Sequence, residues 1–471
     1  MQRLSKRPNT ASEPRAACPV GDAPVRYSLR QLRTTLLDTQ KQLAGSRDGF
    51  ARYQVLKRVF TLVASAEANQ RMFVEAARAY PRGRQYDNLA LLIGRGLICA
   101  EGADWQRQRR LVQPVFDKAL MARVVEITGA FTAQLVDGWD EARRRGDQVD
   151  LLTDMQDLAM RVIGMALFGR DMHCDVRVDI TTADYFTEAV RSGTSVIFLR
   201  NVSPVPLPLW LPTRLNRRFR SALAAVDRFV YERIDERLAD RDGYDDILGD
   251  LVRAFSGHAP QLATEQLRRE LRDQTVTLFF AGFETTAIAL AWTWLLLSQN
   301  PDAEARFHDE LGRVLGDRAA PAPEDLKALT YTHQVVQESM RMYAPVYTLT
   351  RTAAADDQLG GHQIRRGDNI VIPIHALHHM EQYWEEPAAF RPERFAPGRL
   401  TDDQRAAYLP FSFGQRRCLG ATFATVEMVT VLAVAGQRIR LRHAAGCPVI
   451  PVPAVTQRPA DGLRVDVESR P

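Results

Sequence analysis

Apolar residues recur at intervals of three and four through Met121–Ala142, Val149–Phe168, Arg214–Ala239 and Thr264–Ser298, with polar and charged residues between them. That period predicts amphipathic helices sharing a core, and it dominates the chain from Ser28 to about Tyr343. The stretch Ser203–Thr213, SPVPLPLWLPT, interrupts it, and its prolines predict an extended surface loop. The loop is apolar, so it reads either as a lid packed on the body or as a hydrophobic entrance. After Ala344 the pattern changes to short runs separated by GG and RRGDN turns, which predict strands. A proline-punctuated coil, PAAFRPERFAPGRL, follows, then an apolar helix over Ala421–Gln437 and irregular strand pairs at the end. The expected architecture is mainly α with a small β region. A loose arm rich in Pro, Ser and Ala is expected over residues 1–27, followed by a single domain over 28–471.

One segment changes the picture if read by hydropathy alone. Thr277–Leu297, TLFFAGFETTAIALAWTWLLL, is long enough to span a bilayer, but Glu284 and two threonines near its middle would be costly in lipid. Its flanks are amphipathic, so a buried core helix is expected. The N-terminus has no apolar run of the signal-peptide kind, and the expectation is no membrane anchor and a cytoplasmic location. Hydrophobic residues make up 45% and charged residues 25%, as in ordinary globular proteins. The net charge of +5 comes largely from arginines interleaved with acids, as in ARRRGDQVD, which predicts solvated helix faces and no nucleic-acid surface. Five cysteines (Cys18, Cys99, Cys174, Cys418 and Cys447), with no CxxC pair, read as reduced thiols.

Cys418 stands apart, in FSFGQRRCLG (Phe411–Gly420), between two glycines and just after Arg416 and Arg417. A thiolate is favoured at a helix start beside cations, and it makes a strong, electron-donating metal ligand. Gly414 permits a tight turn, and Gly420 leaves room for a flat group against the helix. These features suit either a buried structural cysteine or a single axial thiolate beneath a planar cofactor.

The order Phe411-x-x-Gly414-x-Arg416-x-Cys418-x-Gly420 resembles the haem-binding signature of the cytochrome P450 family. AGFETT (Ala281–Thr286) resembles that family's oxygen-activation motif, ESMR (Glu338–Arg341) its ExxR helix and FRPERF (Phe390–Phe395) its PERF segment. WQRQR (Trp105–Arg109) resembles its WxxxR helix. The resemblance implies a triangular α-helical prism, with haem b (iron protoporphyrin IX) between a long central helix and the cysteine-loop helix. Cys418 would be the axial ligand, with Phe411 packed near the thiolate. Trp105, Arg109, Arg351 and Arg416 would meet the haem propionates; Arg suits that task because its planar fork pairs with carboxylates.

On the opposite side, the resemblance assigns Thr285 to hydrogen-bonding oxygen and Glu284 to relaying protons. Ala281 and Gly282 would be small enough for the helix to open there. Glu338, Arg341 and Arg394 would hold the cysteine loop as structural support. Thr277, Ala281, Phe280, Tyr347 and Leu349 would line the substrate pocket, with the Leu91–Cys99 loop and helices around Phe186 and Val190. HALHH (His375–His379) falls at a structural turn of the family, not a metal site.

The implied activity is monooxygenation of a small apolar organic molecule with O2, a hydroxylation or epoxidation in bacterial natural-product metabolism such as that of terpenoids or polyketides. Electrons would come from a ferredoxin or flavodoxin with its NAD(P)H-dependent reductase, steered by a basic face of Arg107, Arg110 and Arg417. A peroxide-driven or non-oxygenating haem-thiolate enzyme and a haem-binding sensor are the rival readings. The intact Glu284–Thr285 pair speaks against both.

Overall fold

The computed structural model describes residues 24–45, 48–56, 58–83, 85–173, 176–177, 180–202, 207–258, 263–443, 449–460 and 462–470. The arm up to residue 23, Cys18, Cys174, Cys447 and the start of the proline-rich loop lie outside them.

The four long amphipathic patterns form helices over Lys118–Arg145, Leu151–Phe168, Arg214–Ala239 and Thr264–Gln299. Local chemistry sets several ends. The Asp117 side chain caps the first by accepting from Leu120 N, and Gly146, at φ 75°, terminates it. Thr213 caps the third by accepting from Asn216 N. The long central helix, Thr264–Gln299, is buried without a break from Thr286 to Leu297. Gly282 lets it approach the Leu151–Phe168 helix, since a Cβ there would lie 3.2 Å from Ile163. The Lys118–Arg145 and Thr264–Gln299 helices are both long and apolar enough to cross a membrane, but both pack inside this fold. The central helix runs through Ala281–Thr286 uninterrupted.

The β region is larger than the sequence pattern predicted. Phe50–Val55 and Arg58–Val63 form an antiparallel hairpin inside the stretch expected to be helical. Its residues are rich in Val, Phe and Tyr, a strand signal outweighed by the longer helical pattern around it. The hairpin joins a five-stranded sheet with Val25–Tyr27, Asn369–Ile372 and Leu349–Thr352. Val25–Tyr27 pairs in parallel with Tyr53–Val55, so the last residues of the expected loose arm are an edge strand. In the proline-rich loop, Trp210 is 72% exposed and Leu207 59% exposed, which is not how a packed lid would sit.

The coil leading to Cys418 is shaped by a charge cluster centred on the fully buried Glu338 and Arg341. Arg341 Nε and Nη2 donate to Glu338 at 2.7 and 2.8 Å, and Arg394 Nε donates to the same carboxylate at 3.2 Å. Arg341 Nη1 reaches the carbonyls of His378 and Pro387 at 2.7 and 2.9 Å. His378 continues the chain of contacts: Nε2 accepts from Leu409 N at 2.9 Å, so Nδ1 carries the proton and donates to the Arg341 carbonyl at 3.0 Å. Burial holds that imidazole well below its ordinary pKa, in the neutral form this bonding needs.

Removing the Glu338 charge would strand a buried guanidinium. Glu338→Gln is expected to destabilise the protein by about 3–5 kcal/mol. A thermal or urea unfolding midpoint equal to that of the parent protein would contradict this account of the cluster.

Candidate functional site

The cysteine loop turns on two residues with positive φ, Ser412 at 60° and Gly414 at 66°. A Cβ on Gly414 would lie 2.3 Å from the Phe73 carbonyl oxygen, so glycine is required there. Cys418 N donates to the Phe411 carbonyl at 2.9 Å, closing the loop just before the Ala421–Gly436 helix. The Cys418 side chain is exposed, yet the atoms around it desolvate the thiol enough to push its pKa up. The Gly420 N–H and the charges of Arg109 and Arg417 act the other way and favour the thiolate. The helix start beside it is open, because a Cβ on Gly420 would meet nothing within 4 Å.

Three guanidinium groups act on one another nearby. Desolvation and the charges of Arg82 and Arg351 bring the Arg416 pKa down to about 10, against the attraction of Glu101. Arg416 Nη2 pairs with Glu101 at 2.7 Å, Nη1 donates to the Ala100 carbonyl at 2.8 Å, and the guanidinium lies 4.2 Å from the Trp105 ring centroid. Arg351, only 5% exposed, stacks over Phe73 at 5.0 Å. Nε and Nη1 of Arg82 are buried without a hydrogen-bond partner. Glu101 leaves this set with excess positive charge and orphaned donors. A dianionic partner would satisfy both.

On the central helix, Thr285 Oγ1 donates to the Ala281 carbonyl at 2.8 Å. Glu284 Oε1 accepts from Thr456 Oγ1 at 3.1 Å, and burial raises its pKa, favouring the neutral acid. Further along, Asp273 accepts from Arg95 N at 2.7 Å and Gln274 from Leu97 N at 3.1 Å. Thr277 donates to the Ile93 carbonyl at 3.3 Å. These bonds stitch the loop before Trp105 to the helix.

The cytochrome P450 family model matches residues 19–448. The chain belongs to the cytochrome P450 family. It is 35% identical over 396 residues to a cyclooctatin synthase of Streptomyces melanosporofaciens, covering 84% of this chain and 83% of that one. A cyclooctat-9-en-7-ol 5-monooxygenase of the same organism is 33% identical over 369 residues, covering 78% and 77%. The Arabidopsis thaliana protein LUTEIN DEFICIENT 5, chloroplastic, is 28% identical over 427 residues, covering 87% of this chain and 70% of its own length. The protein is thus a P450 oxidoreductase of the monooxygenase type.

Haem is the cofactor of P450 enzymes, and the residues here fit it. The reachable Cys418 thiol is suited to the iron, the open face of Gly420 to a flat ring, and the Arg82–Arg351–Arg416 set with Trp105 to the two propionates. Arg82 and Glu101 belong to no motif in the sequence; the orphaned nitrogens reveal the first. Arg109 departs from the expectation that it shares one edge with Trp105. It donates to Gln113 Oε1 at 3.0 Å and to the Arg417 carbonyl at 3.2 Å, beside the sulfur instead. Arg107 is not part of a free basic face, since it pairs with Glu270 at 2.8 Å; Arg110 and Arg417 remain exposed.

Pocket expectations divide in the same way. Thr277 is 1% exposed and ties the helix to Ile93, so it is a fastening and not open lining. Phe186 is fully buried in an aromatic cluster with Phe229, Phe279 and Phe280. Ala281 and Leu349 keep some exposed surface, whereas Phe280 and Tyr347 are largely covered. In HALHH, the His375 and His379 rings lie 4.3 Å apart, and no cluster among the described residues could hold a metal ion.

The arginine set makes a two-sided prediction. Arg82→Ala should weaken haem retention about tenfold, read by transfer to apomyoglobin, since charge-assisted hydrogen bonds contribute about 1.5–3 kcal/mol. The same variant as apoprotein should melt no lower than its parent, because it loses a repelled and unpaired cation. A lower apoprotein melting temperature with unchanged haem transfer would reverse the assignment.

Proposed function

We propose that this P450 is a bacterial-type, haem b-dependent monooxygenase that oxidises a cyclic, apolar natural product of the terpenoid class. Its electrons would come from a separate ferredoxin or flavodoxin and an NAD(P)H-dependent reductase, in the cytoplasm. The observation that carries the reading is a desolvated acid and an alcohol, Glu284 and Thr285, adjacent on the central helix of a chain whose Cys418 thiol is reachable at the start of an open helix face. The substrate class is supported by the unsaturated ring alcohol in the name of one Streptomyces relative. The pocket assigned to it is walled by Ala281, Phe280, Leu349 and Tyr347, where an apolar surface would exclude water and orient the substrate.

Bound haem supplies the binding and reductive activation of dioxygen. The chain's own residues manage protons. Converting R–H and O2 to R–OH and water consumes two electrons and two protons, and releasing hydrogen peroxide consumes the same number. What the protein must govern is where the protons arrive. Thr285 holds its hydroxyl against the Ala281 carbonyl and can turn it toward dioxygen in the site. Glu284, whose pKa burial raises, is the acid one residue away that can take up and pass on a proton.

Thr285→Ala should therefore keep substrate binding and reduction while diverting most NADPH into hydrogen peroxide. The measurement is product and peroxide per NADPH, using the cyclic terpenoid alcohol that gives the largest spin-state shift in a panel. An unchanged ratio would make Thr285 a packing residue. The ferrous–carbonyl band of the parent should be strongly red-shifted, and Cys418→His should abolish that shift together with oxygenation. A globin-like band from active parent protein would overturn the reading.

The electron donor is tested separately. Arg110→Glu with Arg417→Glu should slow reduction by an acidic ferredoxin, and salt should slow the parent. Salt-independent kinetics in the parent would remove this face as the docking site.

A further inference from the structure

We infer that Thr456, on the turn of a β-hairpin near the C-terminus, is a positioning residue that orients the relay acid Glu284. The hairpin pairs Pro451–Pro453 with Gln457–Pro459. Its turn is held from three sides. Tyr347 Oη donates to the Ala454 carbonyl at 2.9 Å, Gln457 N to the Pro345 carbonyl at 2.8 Å, and Trp292 Nε1 to the Gln457 carbonyl at 3.0 Å. Trp292 lies on the same helix as Glu284, so the turn and the acid share one frame. Ala454 and Val455 are exposed, while Thr456 is only 3% exposed. A hydroxyl buried to that degree needs a partner, and it has Glu284 Oε1 at 3.1 Å.

The direction of that bond has a chemical consequence. With Thr456 donating to Oε1 of the carboxylate, Oε2 is the oxygen left free to take up a proton. The hairpin thereby turns the transferable proton away from itself. When Oε2 gives up the proton, the carboxylate formed keeps the Thr456 bond and feels the favourable charge of Arg458. Both members of the pair are fastened in this state, Glu284 to the hairpin and Thr285 to Ala281. Tyr347, assigned to the pocket wall, carries the bond to Ala454, so the wall and the acid's anchor are one unit.

This inference rests on the relay role proposed for Glu284, and the experiment separates the two. Thr456→Val preserves shape and removes the donor; Thr456→Ser restores it; Glu284→Gln identifies the acid. In infrared difference spectra of the haem-loaded protein, the protonated-carboxyl band lost in Glu284→Gln should move to higher frequency in Thr456→Val and return in Thr456→Ser. With the panel's best terpenoid alcohol and a surrogate ferredoxin system, Thr456→Val should raise peroxide per NADPH several-fold at unchanged substrate affinity, and Thr456→Ser should reverse the rise. A band and a coupling ratio that ignore Thr456→Val overturn the positioning role. If Glu284→Gln uncouples turnover and Thr456→Val does not, the relay stands and the positioning role falls. If neither uncouples it, the relay role of Glu284 falls, and the positioning role with it.

Discussion

The buried pair of Glu338 and Arg341 is the interaction on which the site depends. Neither side chain has any exposure, so each charge must be met inside the protein. Glu338 takes bonds from Arg341, Arg394 and the Arg391 backbone; Arg341 reaches the carbonyls of His378, Pro387 and Ala389. An irregular coil, which has no ladder of its own, is thereby fastened along its length. His378 passes the constraint to Leu409, and the Phe411–Cys418 bond closes the loop just beyond. The placement of one sulfur atom follows from a charge pair far away in sequence.

Electrostatics divide the site into two unlike halves. Around the cysteine loop the chain gathers arginines in excess of the carboxylates it offers them, at a cost in mutual repulsion and in buried donors without acceptors. A protein that folds with such a debt is built for an anion it does not itself contain. The central helix is the opposite case: its one acid in the apolar stretch is desolvated toward neutrality, and its hydroxyl is bonded to its own backbone. Positive charge suits holding a dianionic cofactor edge, and a neutral acid suits giving up a proton on demand.

The two halves are joined by helix packing. Gly282 brings the Leu151–Phe168 helix against the central one, while Asp273, Gln274 and Thr277 fasten the loop before Trp105 to it. The C-terminal hairpin completes the frame through Trp292, Tyr347 and Glu284. Thr277 is taken up by one of these fastenings, and Thr285 by a bond to its own helix.

The long helices, the late turn to strands, the cysteine loop and the family itself were legible along the chain, because helical periodicity and short motifs are local properties. Even the need for glycine at 414 could be read as a tight turn, though the Phe73 carbonyl that forbids a side chain there could not. The hairpin over residues 50–63 was hidden because the strand that docks it into the sheet, Asn369–Ile372, lies some three hundred residues away. Arg82 carries no motif, and only its packing beside Arg351 and Arg416 marks it. Arg107 and Thr277 had the right residue types for a docking face and a pocket, but folding brought Glu270 and the Ile93 carbonyl within their reach. Sequence determined which groups exist and how they are spaced along each helix. Which of them remain free to act was decided by tertiary contacts, because a polar side chain takes the nearest partner that folding places beside it.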